Sequence, residues 1–151
     1  MKARAATVVE GPVAEVEALF YDERRWPAWV DGFGGVSSIT GEWPARGAAL
    51  DWTSKPGGRG AVRERVVAYA PAEGQELDVE DERLVGTQTV AFTEGERGAV
   101  EVALTLDYRL KERNPLTPLV DFFFVRRAMA ASLQRSLTRF ARERAADAEL
   151  Q

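Results

Sequence analysis

The run VEVALTLDYRL, residues 100–110, alternates without a break. Val100, Val102, Leu104, Leu106, Tyr108 and Leu110 fall on one side of an extended chain. Glu101, Ala103, Thr105, Asp107 and Arg109 fall on the other. Strict period-two patterning specifies a strand with one face buried and one in water. Gly86, Gln88, Val90 and Phe92 repeat the pattern just upstream, and Leu50 with Trp52, and Leu77 with Val79, do so earlier. Between Phe33 and Leu110 such runs are divided by Gly41 with Pro44, Pro56-Gly57-Gly58, Pro71 to Gly74, and Gly95 to Gly98. Short alternating runs between regular turn signals predict an antiparallel meander.

Working outward, Lys2 to Val9 reads as a further strand. Pro12 is predicted at the first position of a short helix, where its missing N–H is harmless, with Val13, Val16, Leu19 and Phe20 on one face. Asp22 is a predicted cap for a second short turn, interrupted at Trp26-Pro27 because a residue before proline avoids the α region. On the C-terminal side, Asn114 to Glu149 reads as one long helix capped by Asn114, with Pro115 and Pro118 in its first turn. Asp121 near its start and Arg139, Arg142 and Arg144 near its end suit the helix dipole. Leu119, Phe122, Phe123, Met129, Ala130, Leu133, Leu137 and Phe140 share one face. A twisted sheet with one apolar face and a helix with one apolar face must bury them against each other. The expectation is therefore a single α+β domain over residues 1–151. In it a curved antiparallel seven-stranded sheet (β-α-α-β6-α) wraps the C-terminal helix and leaves a ligand space near one end.

Composition narrows the chemistry. The 151 residues include no cysteine and no histidine. Thiolate catalysis, disulfides and thiolate metal sites are excluded, together with the commonest general base and metal ligand. Catalysis would have to come from carboxylates, tyrosines, arginines or the few lysines. The expectation is no metal and no cofactor. A net charge of −4 argues against nucleic acid as a partner. The longest apolar block, Leu116 to Val125, is about half of the ~20 residues a membrane span needs and contains Asp121. The apolar run after Lys2 and Arg4 stops at Glu10, too short for a secretory signal. A cytoplasmic protein without a transmembrane segment is expected.

The segment Gly11-Pro12-Val13-Ala14-Glu15-Val16 through Trp26-Pro27-Ala28-Trp29-Val30 resembles the START-like (SRPBCC) superfamily. That group includes the birch pollen allergen and the polyketide cyclase/dehydrase-like proteins. The likeness lies in a proline-led first helix followed by an aromatic-Pro-x-Trp turn. Gly47 to Trp52 and Arg63 to Pro71 are also similar to strands of this group, and the likeness in element order covers the whole chain. It implies the helix-grip fold and a range of functions: lipid, sterol or polyketide binding, cyclase activity, or assistance to chaperones.

Several side chains stand out against this frame. Arg126 falls within the apolar helix face. It is either a cationic anchor for a ligand carboxylate or enolate, or a guanidinium snorkelling past the edge. Glu64 shares a parity with Val62 and Val66; in that register it turns inward, and in the opposite one Arg63 and Arg65 do. An inward Glu64 would pair with a cation or act as a general acid or base. Gln88 and Tyr108 on apolar faces could orient a ligand or satisfy a neighbour. Trp26, Trp29, Phe33 and Trp52 are expected at the mouth and wall, or simply in the core. Leu50, Val90, Phe92, Leu104, Leu106, Phe122, Phe123, Met129 and Leu133 complete the predicted lining. Pro56-Gly57-Gly58-Arg59-Gly60 lacks the helix and Gly-Lys-Ser/Thr ending of a phosphate loop, so a hairpin turn is expected. Arg135 to Arg144, interspersed with Glu143 and followed by Asp147, reads as a solvated face. Of the three phenylalanines 122–124, at least one must point away from the core, to cover a loop or meet a partner such as a second copy in a homodimer.

The leading expectation is a carrier for a small hydrophobic molecule: a lipid, isoprenoid or aromatic polyketide. The second is a cyclase or aromatase in which Arg126 stabilises an oxyanion and Glu64 or Tyr108 moves protons. The third is a chaperone or protein-interaction adaptor, which would expose an apolar groove and lack a closed cavity.

Overall fold

The structure, a computed structural model, describes residues 1–111 and 119–151, the first five of the latter by their backbone alone. Strand β1 (Lys2–Glu10) leads into α1 (Val13–Tyr21), a 3-10 turn (Glu23–Arg25) and the one-turn helix α2 (Trp26–Trp29). Six strands follow: β2 (Phe33–Thr40), β3 (Ala49–Ser54), β4 (Ala61–Ala70), β5 (Gly74–Glu80), β6 (Leu84–Glu94) and β7 (Ala99–Leu110). Helix α3 (Leu119–Glu149) ends the chain. The seven strands form one antiparallel sheet in the order β1-β7-β6-β5-β4-β3-β2. Each strand from β2 to β7 therefore lies beside its sequence neighbour, and β1 returns to close against β7. The predicted meander is present in full.

The alternation decides which face is inside. Val100, Val102, Leu104, Leu106 and Tyr108 are all buried, whereas Glu101, Asp107 and Arg109 are exposed. The inner face of the sheet meets α3 through Leu133, Leu137 and Phe140, the last two completely buried. On the outer face the ion pairs are exposed, as between Arg63 and Asp51 at 3.2 Å, and contribute little to stability.

Two local expectations are corrected. Pro27 does not interrupt the turn: Trp26 is in the α region (φ −58°, ψ −33°) and starts α2, with Pro27 in the first turn, where no N–H is needed. Pro12 sits one residue outside α1, as its cap, rather than inside it. Asp22 caps as expected, accepting from the Arg24 N–H at 3.2 Å. The predicted Asn114 cap, Pro115, Pro118 and the side chain of Asp121 lie outside the described residues.

The arginine-rich end of α3 is solvated only in part: Arg135 and Arg142 are exposed, whereas Arg144 is not. Arg144 is buried, donating to the Glu10 carbonyl at 3.0 Å and to the Glu15 carboxylate at 2.8 Å. Gly11, with φ +116°, makes room for it, since a Cβ there would collide with the guanidinium. Arg25 reaches from the 3-10 turn to Glu143 and Asp147, both at 2.9 Å. These charges tie α3 to the N-terminal segment, a role that helical periodicity alone does not reveal.

Candidate ligand chamber and mouth

Between the sheet and α3 lies a chamber of about 70 Å³. Its floor and walls are Phe20, Trp26, Trp29, Trp43, Trp52, Leu77, Leu104, Met129 and Leu133, with the polar residues Asp31, Arg59, Glu64, Gln75, Gln88, Ser132 and Ser136. Beside it lies a cleft of about 670 Å³, bounded by the β3–β4 turn, the β5–β6 turn, the end of β7 and one side of α3. Asp31, Arg59, Met129 and Ser132 line both spaces. The chamber alone is well below the ~300–1,000 Å³ of a ligand pocket, and the cleft falls within that range.

The β-register places the central polar group. Leu50 pairs with Glu64 and Trp52 with Val62 across β3–β4, and Glu64 pairs with Val79 on β5. Leu50, Trp52, Val62, Glu64 and Val79 are all buried, while Arg63 and Arg65 are exposed. Of the two registers open to the sequence, the one with Glu64 inward is realised. Its Oε1 accepts from Trp52 Nε1 at 3.2 Å. Burial pushes its carboxyl up to about 7, against the opposing pull of the Trp52 hydrogen bond and the Arg59 charge.

Arg59 is the cation beside it. The β3–β4 turn is held by Ser54, whose Oγ accepts from the Gly60 N–H at 2.8 Å. Asp81 accepts Arg83 N–H at 2.8 Å and Leu84 N–H at 2.9 Å, which shapes the β5–β6 turn. Arg59 Nε donates to the same carboxylate at 2.7 Å, and the guanidinium carbon stands 5.8 Å from the Trp52 ring centroid. Its Nη2 is buried and has no partner among the described residues; nor has Trp29 Nε1 on the same chamber's wall.

Asp31 braces the mouth. Its carboxylate accepts from Ser132 Oγ at 2.7 Å, Arg135 at 2.9 Å and Arg139 at 3.2 Å, and its N–H donates to Ser136 Oγ at 2.9 Å. Burial pushes this carboxyl up, but the hydrogen bonds from Arg135 and Ser132 outweigh it and leave it below the usual carboxylate range. The end of α2 is thereby fastened to α3.

Of the predicted lining, Trp26, Trp29, Trp52, Glu64, Gln88, Leu104, Met129 and Leu133 border the chamber. Phe33, Leu50, Val90, Phe92, Leu106 and Tyr108 are buried without bordering it. Phe33 backs Trp52, with ring centroids 5.4 Å apart. The Tyr108 hydroxyl is buried with no partner among the described residues, and burial raises its pKa against the charge of Arg126. Gly86 faces Tyr108 across the ladder because a Cβ there would strike the strand opposite. Arg126 is a correction: it is exposed and lines neither space. Its stripe of α3 meets the sheet at Leu133 and Leu137, but two turns earlier the helix flanks the open cleft and the guanidinium reaches water. The side chains of Phe122 and Phe123 lie outside the described residues; Phe124 points away from the core, 71% exposed. Sequence reading missed Arg59, and with it Asp31, Gln75, Ser132 and Ser136 on the chamber wall. The turn that carries Arg59 has no periodicity to orient it, and only its place in a Gly-rich loop marked it.

A curved antiparallel sheet closed on one long helix around an internal chamber defines a START-like helix-grip protein. The sequence pattern of the family described as polyketide cyclase / dehydrase and lipid transport matches residues 1–144, and this chain belongs to that family. Similar solved structures include a protein of Thermus thermophilus, with a TM-score of 0.75 and 18% identity over 97% of this chain and 99% of that one. A Staphylococcus aureus protein of unknown function has a TM-score of 0.74 at 9% identity, over 99% and 96% of the two chains. Norcoclaurine synthase from Thalictrum flavum, in complex with dopamine and hydroxybenzaldehyde, has a TM-score of 0.58 at 13% identity, over 87% and 84%. At these identities the likeness is one of fold. No protein of curated function matches the sequence. No described helix is long and apolar enough to cross a membrane.

Proposed function

We propose that this chain binds a small, largely apolar molecule in the adjoining chamber and cleft, as a carrier. The observation that carries this reading is that the two spaces adjoin, sharing Asp31, Arg59, Met129 and Ser132 in their walls. Aromatic and aliphatic walls with a few convergent polar groups are what a small-molecule site requires. A ligand burying ~300 Å² of apolar surface gains up to roughly 7.5 kcal/mol before ordering costs, enough for micromolar binding without a sequence motif. The family's description, which includes lipid transport, agrees with this reading. Native mass spectrometry of the purified protein tests it: a co-purifying lipid, isoprenoid or aromatic molecule is expected and should be lost in Leu104→Trp, which fills the chamber. Failure to retain any member of a lipid, isoprenoid and aromatic panel would overturn it.

A second reading has one specific observation in its favour. Glu64 is a buried carboxyl on the chamber wall with a pKa near neutrality, as a general acid or base needs. Under this reading a bound ligand is converted on incubation, and Glu64→Gln abolishes turnover while binding persists. An unchanged ligand after prolonged incubation decides for the carrier.

A further inference from the structure

Two hydrogen-bond donors on the chamber wall have no acceptor among the described residues. Trp29 is 3% exposed and its Nε1 has no partner among the described residues; Arg59 Nη2 is likewise buried and bare, although the Arg59 side chain as a whole is 22% exposed. A buried donor left unpaired is destabilising, and more so when it is charged. Arg59 already meets Asp81 through Nε, so the free nitrogen is not spent on holding the turn. The carboxylates that border the chamber, and Asp81 beside Arg59, are committed or discharged, and Glu82 stands outside them on the cleft wall. Asp31 is held by Ser132, Arg135 and Arg139, Asp81 by Arg59 and two backbone N–H groups, and burial favours the neutral form of Glu64. An ammonium head would therefore meet bare donors, whereas an anionic acceptor would satisfy them.

Size divides the ligand in the same sense. One water needs roughly 10–15 Å³ by the measure used for such cavities, so a chamber of about 70 Å³ takes a head group and not a whole apolar molecule. The cleft outside it, with Leu84, Leu110, Val125 and Met129 on its walls, has room for the rest.

We propose, resting on the binding reading above, that the ligand is an amphipathic acid entering head first. Its carboxylate engages Arg59 Nη2 and Trp29 Nε1 in the chamber, and its apolar body lies in the cleft. A planar carboxylate suits the guanidinium fork, and a charge-assisted bond is about twice as strong as a neutral one.

Calorimetry at about pH 6, where Glu64 is mainly protonated and the ligand acids are ionised, tests this with two shape-matched pairs: decanoate against decanamide, and 1-naphthoate against 1-naphthamide. At least one acid is expected to bind about tenfold or more tighter than its amide. That ratio should collapse towards one in Arg59→Met and be partly kept in Arg59→Lys. The indole N–H resonance of Trp29, identified by its loss in Trp29→Phe, reads the same contact with Arg59 intact: it should move on adding the acid and not the amide. Amides that bind as well as the acids, a preference that survives Arg59→Met, or an unmoved Trp29 resonance would overturn the head-first assignment and leave the carrier reading standing. If none of the four compounds binds, this assignment falls, and the broader panel above decides the carrier reading separately.

Discussion

Under α1, the Phe20 ring packs against Tyr21, Trp29, Phe92 and Phe140 with centroids 5.1 to 5.7 Å apart. Beyond Phe20, which itself borders the chamber, Arg59, Glu64, Asp81 and Asp31 surround space that no described side chain fills. Trp29 belongs to both: its ring lies 5.0 Å from Phe140, and its Nε1 is one of the bare donors. The closed end is closely packed and its rings carry no charge, although the buried Tyr21 hydroxyl lacks a partner among the described residues. The open end departs from the rules of a stable core, with a discharged carboxyl, a half-used guanidinium and an unpaired indole N–H. Departures of this kind concentrate where a protein functions rather than where it is held together.

The largest effect should fall on the closed end. Phe140→Ala removes a fully buried ring and is expected to lower the unfolding free energy by about 3–5 kcal/mol in urea titration. Met129→Ala, at the half-buried mouth, should lose less than about 2 kcal/mol. Equal losses would mean that the mouth is core and the contrast is false.

Glu64 sharpens the contrast through pH. Its folded pKa is raised from 4.5 to about 7, so between those values the native state holds more protons than the unfolded state. Stability attached to this group is complete below about pH 4.5 and lost as pH rises through about 7. Wild type should lose up to about 3 kcal/mol, relative to Glu64→Gln, between pH 5 and 8. Parallel stability curves for the two proteins would show that the carboxyl is not desolvated.

Asp31 has the opposite sign. Its pKa is lowered in the folded protein, so its contribution is present above the ordinary value of 3.8 and lost as pH falls through the folded value. Asp31→Asn should cost about 1–2 kcal/mol at neutral pH by loosening α2 from α3. A smaller loss at pH 7 than at pH 3 would contradict the brace. The smallest effect belongs to the outer face: Arg63→Ala breaks only an exposed pair with Asp51 and should change stability by less than about 1 kcal/mol.

Most of the architecture was legible because it is written as periodicity. The alternation from Val100 to Leu110, and the shared parity of Val62, Glu64 and Val66, mark a buried face whatever the partner is. The site was legible only where it lies on such a pattern, as for Trp52, Glu64, Gln88 and Leu104. Arg126 was misplaced because a helical stripe says which side is apolar and not how far along the helix the sheet extends.

By itself, then, the sequence determined the meander, the long helix, the inward faces and the absence of thiol and imidazole chemistry, since these depend on local spacing and residue type. Tertiary structure alone decided that Arg59 pairs with Asp81 beside Trp52, that Asp31 fastens α2 to α3, and that the chamber is small and the cleft beside it wide. Those outcomes depend on where turns distant in sequence converge, and a turn without a repeating pattern carries no local record of what it will face.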